Sequence, residues 1–214
     1  MASDTVSRYG DEFLILAGSG KAESRVLGSR FLGLALPVSS EQEISRQIAA
    51  RAREYHDATH RCFAAIWDLG QCVQSSDGGE PRGTAGLPIL RAIQSAGLSD
   101  TLVIVTRYFG GTKLGKGNLA RAYSACAEEA LCDAPKKIVH RKRRFLIEVP
   151  PSETGKLYRL AHRNGWDIVS VSSGDSGRFE VRVPMSEGES AIQAVRNATA
   201  GQATIREDGF WTSS

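Results

Sequence analysis

Thr101-Leu102-Val103-Ile104-Val105-Thr106, followed without a break by Arg107-Tyr108-Phe109-Gly110-Gly111-Thr112-Lys113-Leu114-Gly115-Lys116-Gly117, decides how this chain folds. The first six residues are β-branched or apolar on both faces, the pattern of a central strand covered from two sides. The glycines permit positive φ and close backbone approach. From Asn118 to about Cys132, Leu119, Ala122, Tyr123, Ala127 and Leu131 recur at helical spacing. Strand, glycine-rich turn and helix therefore form one α/β unit, and the neighbouring segments are placed around it.

Upstream, Phe13–Leu16 and Arg30–Leu36 read as strands, with the Gly18-Ser19-Gly20 turn and a short polar hairpin between them. Ser40 with Glu43 makes a capping-box pattern, and Ile44, Ile48 and Ala52 carry a helix to about Tyr55. Cys62–Trp67 is a buried strand, Asp77–Gly83 is turn chemistry throughout, and a helix runs from Thr84 to about Ala96 with Pro88 in its first turn. Downstream, Phe145–Val149 is a strand, and Ser152 caps a helix through His162 that ends at Asn164-Gly165. Strands Trp166–Val171 and Gly177–Val183 flank the Ser172–Ser176 turn, and a helix at Glu187–Asn197 and a strand at Ala203–Glu207 close the series. The order β-α-β-β-α-β is the split-βαβ, ferredoxin-like pattern. An α+β chain of two domains follows, residues 1–138 and 144–214, with a basic junction at 136–144.

The chain has 214 residues, 41% hydrophobic and 24% charged, which is globular composition with enough length for two cores. No run approaches the roughly 20 apolar residues of a membrane span, and Met1-Ala2-Ser3-Asp4 lacks a signal-peptide pattern. A cytoplasmic protein with no membrane partner is expected. Cys62, Cys72, Cys126 and Cys132 have no CxxC spacing, so buried reduced thiols are expected rather than a zinc site or disulfides. No metal or cofactor is expected, and the sequence does not disclose the oligomeric state.

The net charge is +3, but its distribution is uneven. Residues 1–135 hold 14 basic and 15 acidic side chains, residues 145–214 hold 7 and 9, and residues 136–144 hold 6 and none. The excess therefore lies in Lys136-Lys137-Ile138-Val139-His140-Arg141-Lys142-Arg143-Arg144. Such a cluster attracts phosphate backbones or acidic protein surfaces, or else keeps a linker or edge strand soluble.

The glycine-rich segment opens onto a helix, where backbone N–H groups and the positive dipole end suit an anion. Lys113, Lys116 and Arg121 add charge there, Arg107 and Arg82 are further phosphate candidates, and Gly110, Gly111 and Gly115 supply the backbone approach. Gly110–Lys116 matches seven positions of GxxxxGK, but Gly117 stands where a Ser or Thr hydroxyl should hold magnesium, which argues against a triphosphatase. Tyr108-Phe109 beside these cations suits single-stranded RNA, where bases stack and phosphates pair, although aromatics in this position also serve as core. Catalytic candidates are fewer: His60, Asp77 and Glu80, which a hydrolase would bring together in one cleft. No GxSxG, HExxH or kinase signature accompanies them.

Asp57-Ala58-Thr59-His60-Arg61-Cys62, Asp77–Leu90 and Val105–Gly115, with Ser29-Arg30-Phe31, resemble the motifs of the Impact family (YigZ-type, bacterial two-domain branch). The match covers most of residues 20–135, and residues 145–210 resemble the branch's second domain by pattern and position. The resemblance implies an N-terminal domain like the second domain of ribosomal protein S5 and a C-terminal domain like the last domain of elongation factor G. It also implies a role near translation. Eukaryotic members act on an amino-acid-starvation kinase pathway through a further N-terminal domain not present in these residues, so that connection is not expected here. Arg82 departs from the small residue usual at its position, and Asn118 from a second glycine.

Three functions are carried forward. The first is a non-catalytic RNA- or ribosome-associated protein using Arg107, Lys113, Lys116 and Arg121 for phosphates, Tyr108 for stacking, and Arg141, Lys142, Arg143 and Arg144 as a second contact. The others are a hydrolase of a phosphorylated or peptide substrate, and a protein-interaction module for an acidic partner.

Overall fold

The computed structural model describes residues 11–212 apart from residues 69 and 175. The reading of Met1–Asp4, and Asp175 within the expected Ser172–Ser176 turn, lie outside the described residues. The chain divides into two compact units, Leu14–Ile138 and Val139–Ser214, the latter joined by residues 11–13.

In the first unit, β1 (Glu12–Leu16) precedes the hairpin β2 (Gly20–Val26) and β3 (Ser29–Pro37). Then come α1 (Glu41–Glu54), β4 (His60–Trp67), β5 (Cys72–Ser76), α2 (Gly86–Ser95), β6 (Thr101–Tyr108) and α3 (Lys116–Asp133). The sheet order is β2-β3-β6-β4-β5, antiparallel at every pairing. β6 lies at its centre and is buried on both faces, as its unbroken apolar run requires. Val103 and Val105 face α2 and α3 in the larger core, with Phe31, Ile89, Ile93, Leu119 and Tyr123. Leu102 and Ile104 face α1 through Ile44, with Val38 ahead of the helix in the same cluster.

The second unit follows the order β7 (Lys136–Val149), α4 (Thr154–Asn164), β8 (Asp167–Ser173), β9 (Gly177–Pro184), α5 (Gly188–Ala198), β10 (Thr204–Thr212). β7 lies between β9 and β10, β8 flanks β9, and these pairings are antiparallel. This is the β-α-β-β-α-β order expected from the sequence. Phe145, Ile147, Val149, Phe179, Val181 and Val183 alternate toward Leu157, Leu160, Ala161, Ala191 and Val195.

Several local readings change. The basic run is not a linker but the first nine residues of the 14-residue strand β7, where carboxylates pair with Lys142, Arg143 and Arg144. β5 was not anticipated, since Cys72-Val73-Gln74-Ser75-Ser76 is too polar to announce a strand, yet it pairs with β4 from Phe63 to Trp67. Ser152 caps no helix: it lies in a 3-10 turn, Pro151–Glu153, ahead of α4. β10 continues past Glu207 because Asp208-Gly209, with Gly209 at φ 83°, forms a bulge rather than a turn, and pairing resumes at Phe210 and Arg143. Ser40 does cap α1, accepting from Glu43 N at 3.3 Å, but the Glu43 carboxylate returns to Ser39 rather than to Ser40. Asn118 is inside the first turn of α3, where Nδ2 donates to the Leu114 carbonyl at 3.1 Å.

Candidate functional site

Alternate residues of β6 point to the α2/α3 core, so the residue after Val103 and Val105 on that face is Arg107. Its register partners are Phe31 on β3 and His60 on β4. A guanidinium at the end of an apolar row requires a counter-charge, and Glu80 supplies it: Nη1 donates to Oε1 at 2.7 Å, with both side chains at least 95% buried. Nη2 donates to Ser29 Oγ at 3.1 Å, and the guanidinium lies 5.4 and 5.5 Å from the ring centroids of Phe31 and Phe109. Glu80 Oε1 also accepts from the Tyr123 hydroxyl at 2.8 Å. Burial first, then the neighbouring Cys62, raises the Tyr123 hydroxyl, so it donates and does not ionise.

This buried pair joins two loops. Glu80 belongs to the loop between β5 and α2, where Gly78, Gly79 and Gly83 have φ of 53°, 90° and 77°. The Asp77 carboxylate accepts from the N–H groups of Gly83, Ala85 and Gly86 at 2.8, 3.0 and 2.9 Å. Asp77 thus occupies the N-terminus of α2 with an internal anion. Burial raises its pKa, but these three bonds outweigh burial and hold it below the usual carboxylate range. The Cys62 thiol donates to the Asp77 carbonyl at 3.0 Å and is pushed by burial up to about 12.

The second loop leaves β6 at Tyr108. Phe109 N donates to Thr59 Oγ1 at 3.0 Å, and Gly110 N to Ser29 Oγ at 3.2 Å. A side chain at Gly110 would lie 1.9 Å from the Gly28 carbonyl carbon, so only glycine fits. Gly115, at φ 77°, precedes α3, whose first turn has no side-chain cap and no acidic residue. Lys113, Lys116 and Arg121 are exposed around it, and the Arg121 guanidinium folds back to Asn118 Oδ1 at 3.2 Å. Arg82 is exposed on the first loop.

The expected residues therefore separate. Lys113, Lys116, Arg121 and Arg82 are on the surface, and Lys113 and Lys116 have no carboxylate partner among the described residues. Arg107 is not a surface cation, because Glu80 holds it in the core. Tyr108, the residue expected to stack, is half-buried with its hydroxyl on Asp57 Oδ1 at 2.7 Å, whereas its neighbour Phe109 is 45% exposed. His60 and Glu80 do approach, Nε2 to Oε2 at 3.8 Å, while His60 Nδ1 faces the Gly78 carbonyl at 3.1 Å and so carries the proton there. Asp77 does not join them, since backbone amides take both its oxygens. The three side chains do not form the expected acid–base cleft.

Arg141, Lys142, Arg143 and Arg144 of β7 are engaged within the second unit, whereas Lys136 and Lys137 at the start of the strand are exposed. Lys142 meets Asp167 at 2.6 Å, Arg143 meets Glu207 at 2.7 Å and Glu189 at 2.9 Å, and Arg144 meets Asp208 at 2.5 Å. Arg141 is buried against the Phe13 ring at 4.9 Å. Sequence counting missed these pairs because the acidic partners come from β8, α5 and β10, up to 64 positions away. Ser29 and Tyr123, which complete the Glu80–Arg107 cluster, likewise gave no local signal. Among the described residues no group of three His, Cys, Asp or Glu side chains is placed to hold a metal, and no helix is long and apolar enough to cross a membrane.

Known proteins resemble this chain. The Impact N-terminal domain model matches residues 27–131, which contain both loops and the buried pair. An IMPACT family member from Thermus thermophilus is 38% identical over 175 residues, covering 81% of this chain and 95% of that protein. The IMPACT family member YvyE of Bacillus subtilis is 32% identical over 192 residues, covering 88% of each. A crystal structure of a hypothetical protein shares the fold, with a TM-score of 0.64 at 22% identity over 91% of this chain and 96% of the other. With two glycine loops tied by Glu80 and Arg107 and relatives aligned along nearly their whole length, the chain belongs to the IMPACT family.

Proposed function

We propose that this protein is a non-catalytic, cytoplasmic RNA- or ribosome-associated protein connected with the regulation of translation, and that it meets RNA phosphates at the N-terminus of α3. One contrast carries the reading. The N-terminus of α2 is filled by Asp77, and Arg141, Lys142, Arg143 and Arg144 of β7 are paired or buried, but Lys113, Lys116 and Arg121 stand exposed around a helix start with no internal anion. Uncompensated cations beside open N–H groups suit a polyanion. Membership of the IMPACT family supports a regulatory role in translation loosely, and the fold alone would not fix it.

Co-sedimentation with ribosomes at low salt tests the reading. The wild type is expected to pellet with ribosomes, and the Lys113→Ala/Lys116→Ala/Arg121→Ala variant to stay in the supernatant. If the two behave alike the reading fails. Capture that survives complete nuclease digestion would favour an acidic protein partner for the same surface.

A further inference from the structure

Leu27 combines two costs in one residue. It occupies the first central position of the two-residue turn between β2 and β3, where Val26 pairs with Ser29, and it is 60% exposed. Leu27 and Gly28 have φ of 47° and 79°, the positive pair that a type I′ turn demands and that Asn-Gly satisfies best. A leucine there accepts left-handed backbone strain and exposes most of its apolar side chain to water. Neither serves the fold.

The turn is also fixed in place. A Cβ on Gly28 would come within 2.9 Å of the Gly110 carbonyl oxygen, so the turn and the start of the second loop are in backbone contact. Leu27 precedes one of those glycines and Phe109 precedes the other. Phe109 is held by its N–H bond to Thr59 and backed by the Arg107 guanidinium, yet remains 45% exposed. Phe109 and Lys113 are four residues apart, so their Cα atoms are at most about 14 Å apart. Leu27 and Phe109 thus each stand exposed next to a backbone contact that joins the turn to the loop carrying Lys113.

Resting on the RNA-associated reading above, we infer that Leu27 and Phe109 form a stacking ledge for a base of single-stranded RNA whose phosphates meet Lys113, Lys116 and Arg121. A ledge beside carboxylates would suit a protein partner; beside uncompensated cations it suits a strand that carries both bases and phosphates. A duplex, with its bases already stacked, gains nothing from it. Leu27 therefore trades stability for binding.

The experiment compares a 12-nucleotide oligouridylate with an RNA duplex of equal length, at low salt, on the wild type, Phe109→Ala, Phe109→Tyr and Leu27→Asn. Phe109→Ala is expected to lose about 5- to 150-fold in affinity for the single strand, with duplex affinity unchanged and Phe109→Tyr restoring most of the loss. Leu27→Asn is expected to melt about 2–4 °C higher while binding the single strand more weakly. Unchanged single-strand affinity in Phe109→Ala, or equal losses on both RNAs, overturns the ledge but leaves the phosphate site standing. A Leu27→Asn variant that melts no higher and binds as the wild type does also overturns it. A wild type that binds neither RNA overturns the ledge together with the RNA reading.

Discussion

Arg107 and Glu80 meet at 2.7 Å inside the first unit, and their pairing sets the loop from Asp77 to Gly83 and the loop from Phe109 to Gly115 on one face. Each has further partners: Ser29 for the arginine, Tyr123 for the glutamate. Removing the carboxylate leaves a buried, uncompensated guanidinium. Glu80→Ala is expected to cost about 3–5 kcal/mol, read by urea denaturation. A loss below about 1 kcal/mol would show that water or rearrangement replaces the partner.

Asp77 gives the first unit a specific acid sensitivity. Its folded pKa is depressed, so it contributes stability that is fully present above the unfolded carboxylate value of about 3.9 and is lost as pH falls through the folded value. Asp77→Ala is expected to cost about 0.5–2 kcal/mol at neutral pH. The difference from wild type should shrink steadily below about pH 4. Denaturation curves at a series of pH values between neutral and strongly acid check this, and a difference independent of pH contradicts it.

Arg143 separates the structural role of the basic run from a binding role. Its guanidinium bonds Glu207 twice, at 2.9 and 2.7 Å, and Glu189 once at 2.9 Å, and it fills the space that a side chain at Gly188 would need. Arg143→Ala is expected to destabilise the second unit by about 1–3 kcal/mol. RNA affinity should change less than about twofold, since no free charge is lost. Stable protein with sharply weaker RNA binding would reverse the assignment.

The cysteines differ in reactivity by position. Cys62 is fully buried, its thiol bonded to the Asp77 carbonyl and its pKa pushed up to about 12 by burial, whereas Cys132 is exposed. Iodoacetamide at pH 8 is expected to label Cys132 in the folded protein and to reach Cys62 only after denaturation. Mass spectrometry of tryptic peptides distinguishes the two. Labelling of Cys62 at the rate of Cys132 would mean that this core opens.

Much of the fold is legible because its signals are local. The apolar run of β6 fixes a central strand, the periodicity from Leu119 to Leu131 fixes α3, and Gly165, at φ 67°, ends α4 as Asn164-Gly165 suggested. β5 and the far half of β10 were not legible, because pairing partners rather than their own composition make them strands. The site divides in the same way. Lys113, Lys116 and Arg121 follow from the loop they surround, but Arg107 looked like a surface cation until the chain brought Glu80 to it from 27 positions away. Arg143 and Arg144 looked free for the same reason. Charge on a sequence is counted locally, whereas counter-charge is supplied by the fold.

The salt dependence of single-stranded RNA binding tests the central claim most directly. If Lys113, Lys116 and Arg121 each neutralise a phosphate, the slope of log affinity against log salt should be about 2 units shallower in the triple alanine variant than in the wild type. The Arg143→Ala protein should retain the wild-type slope. Parallel slopes for the wild type and the triple variant, or a shallower slope for Arg143→Ala instead, would contradict placement of the phosphate contacts at the start of α3.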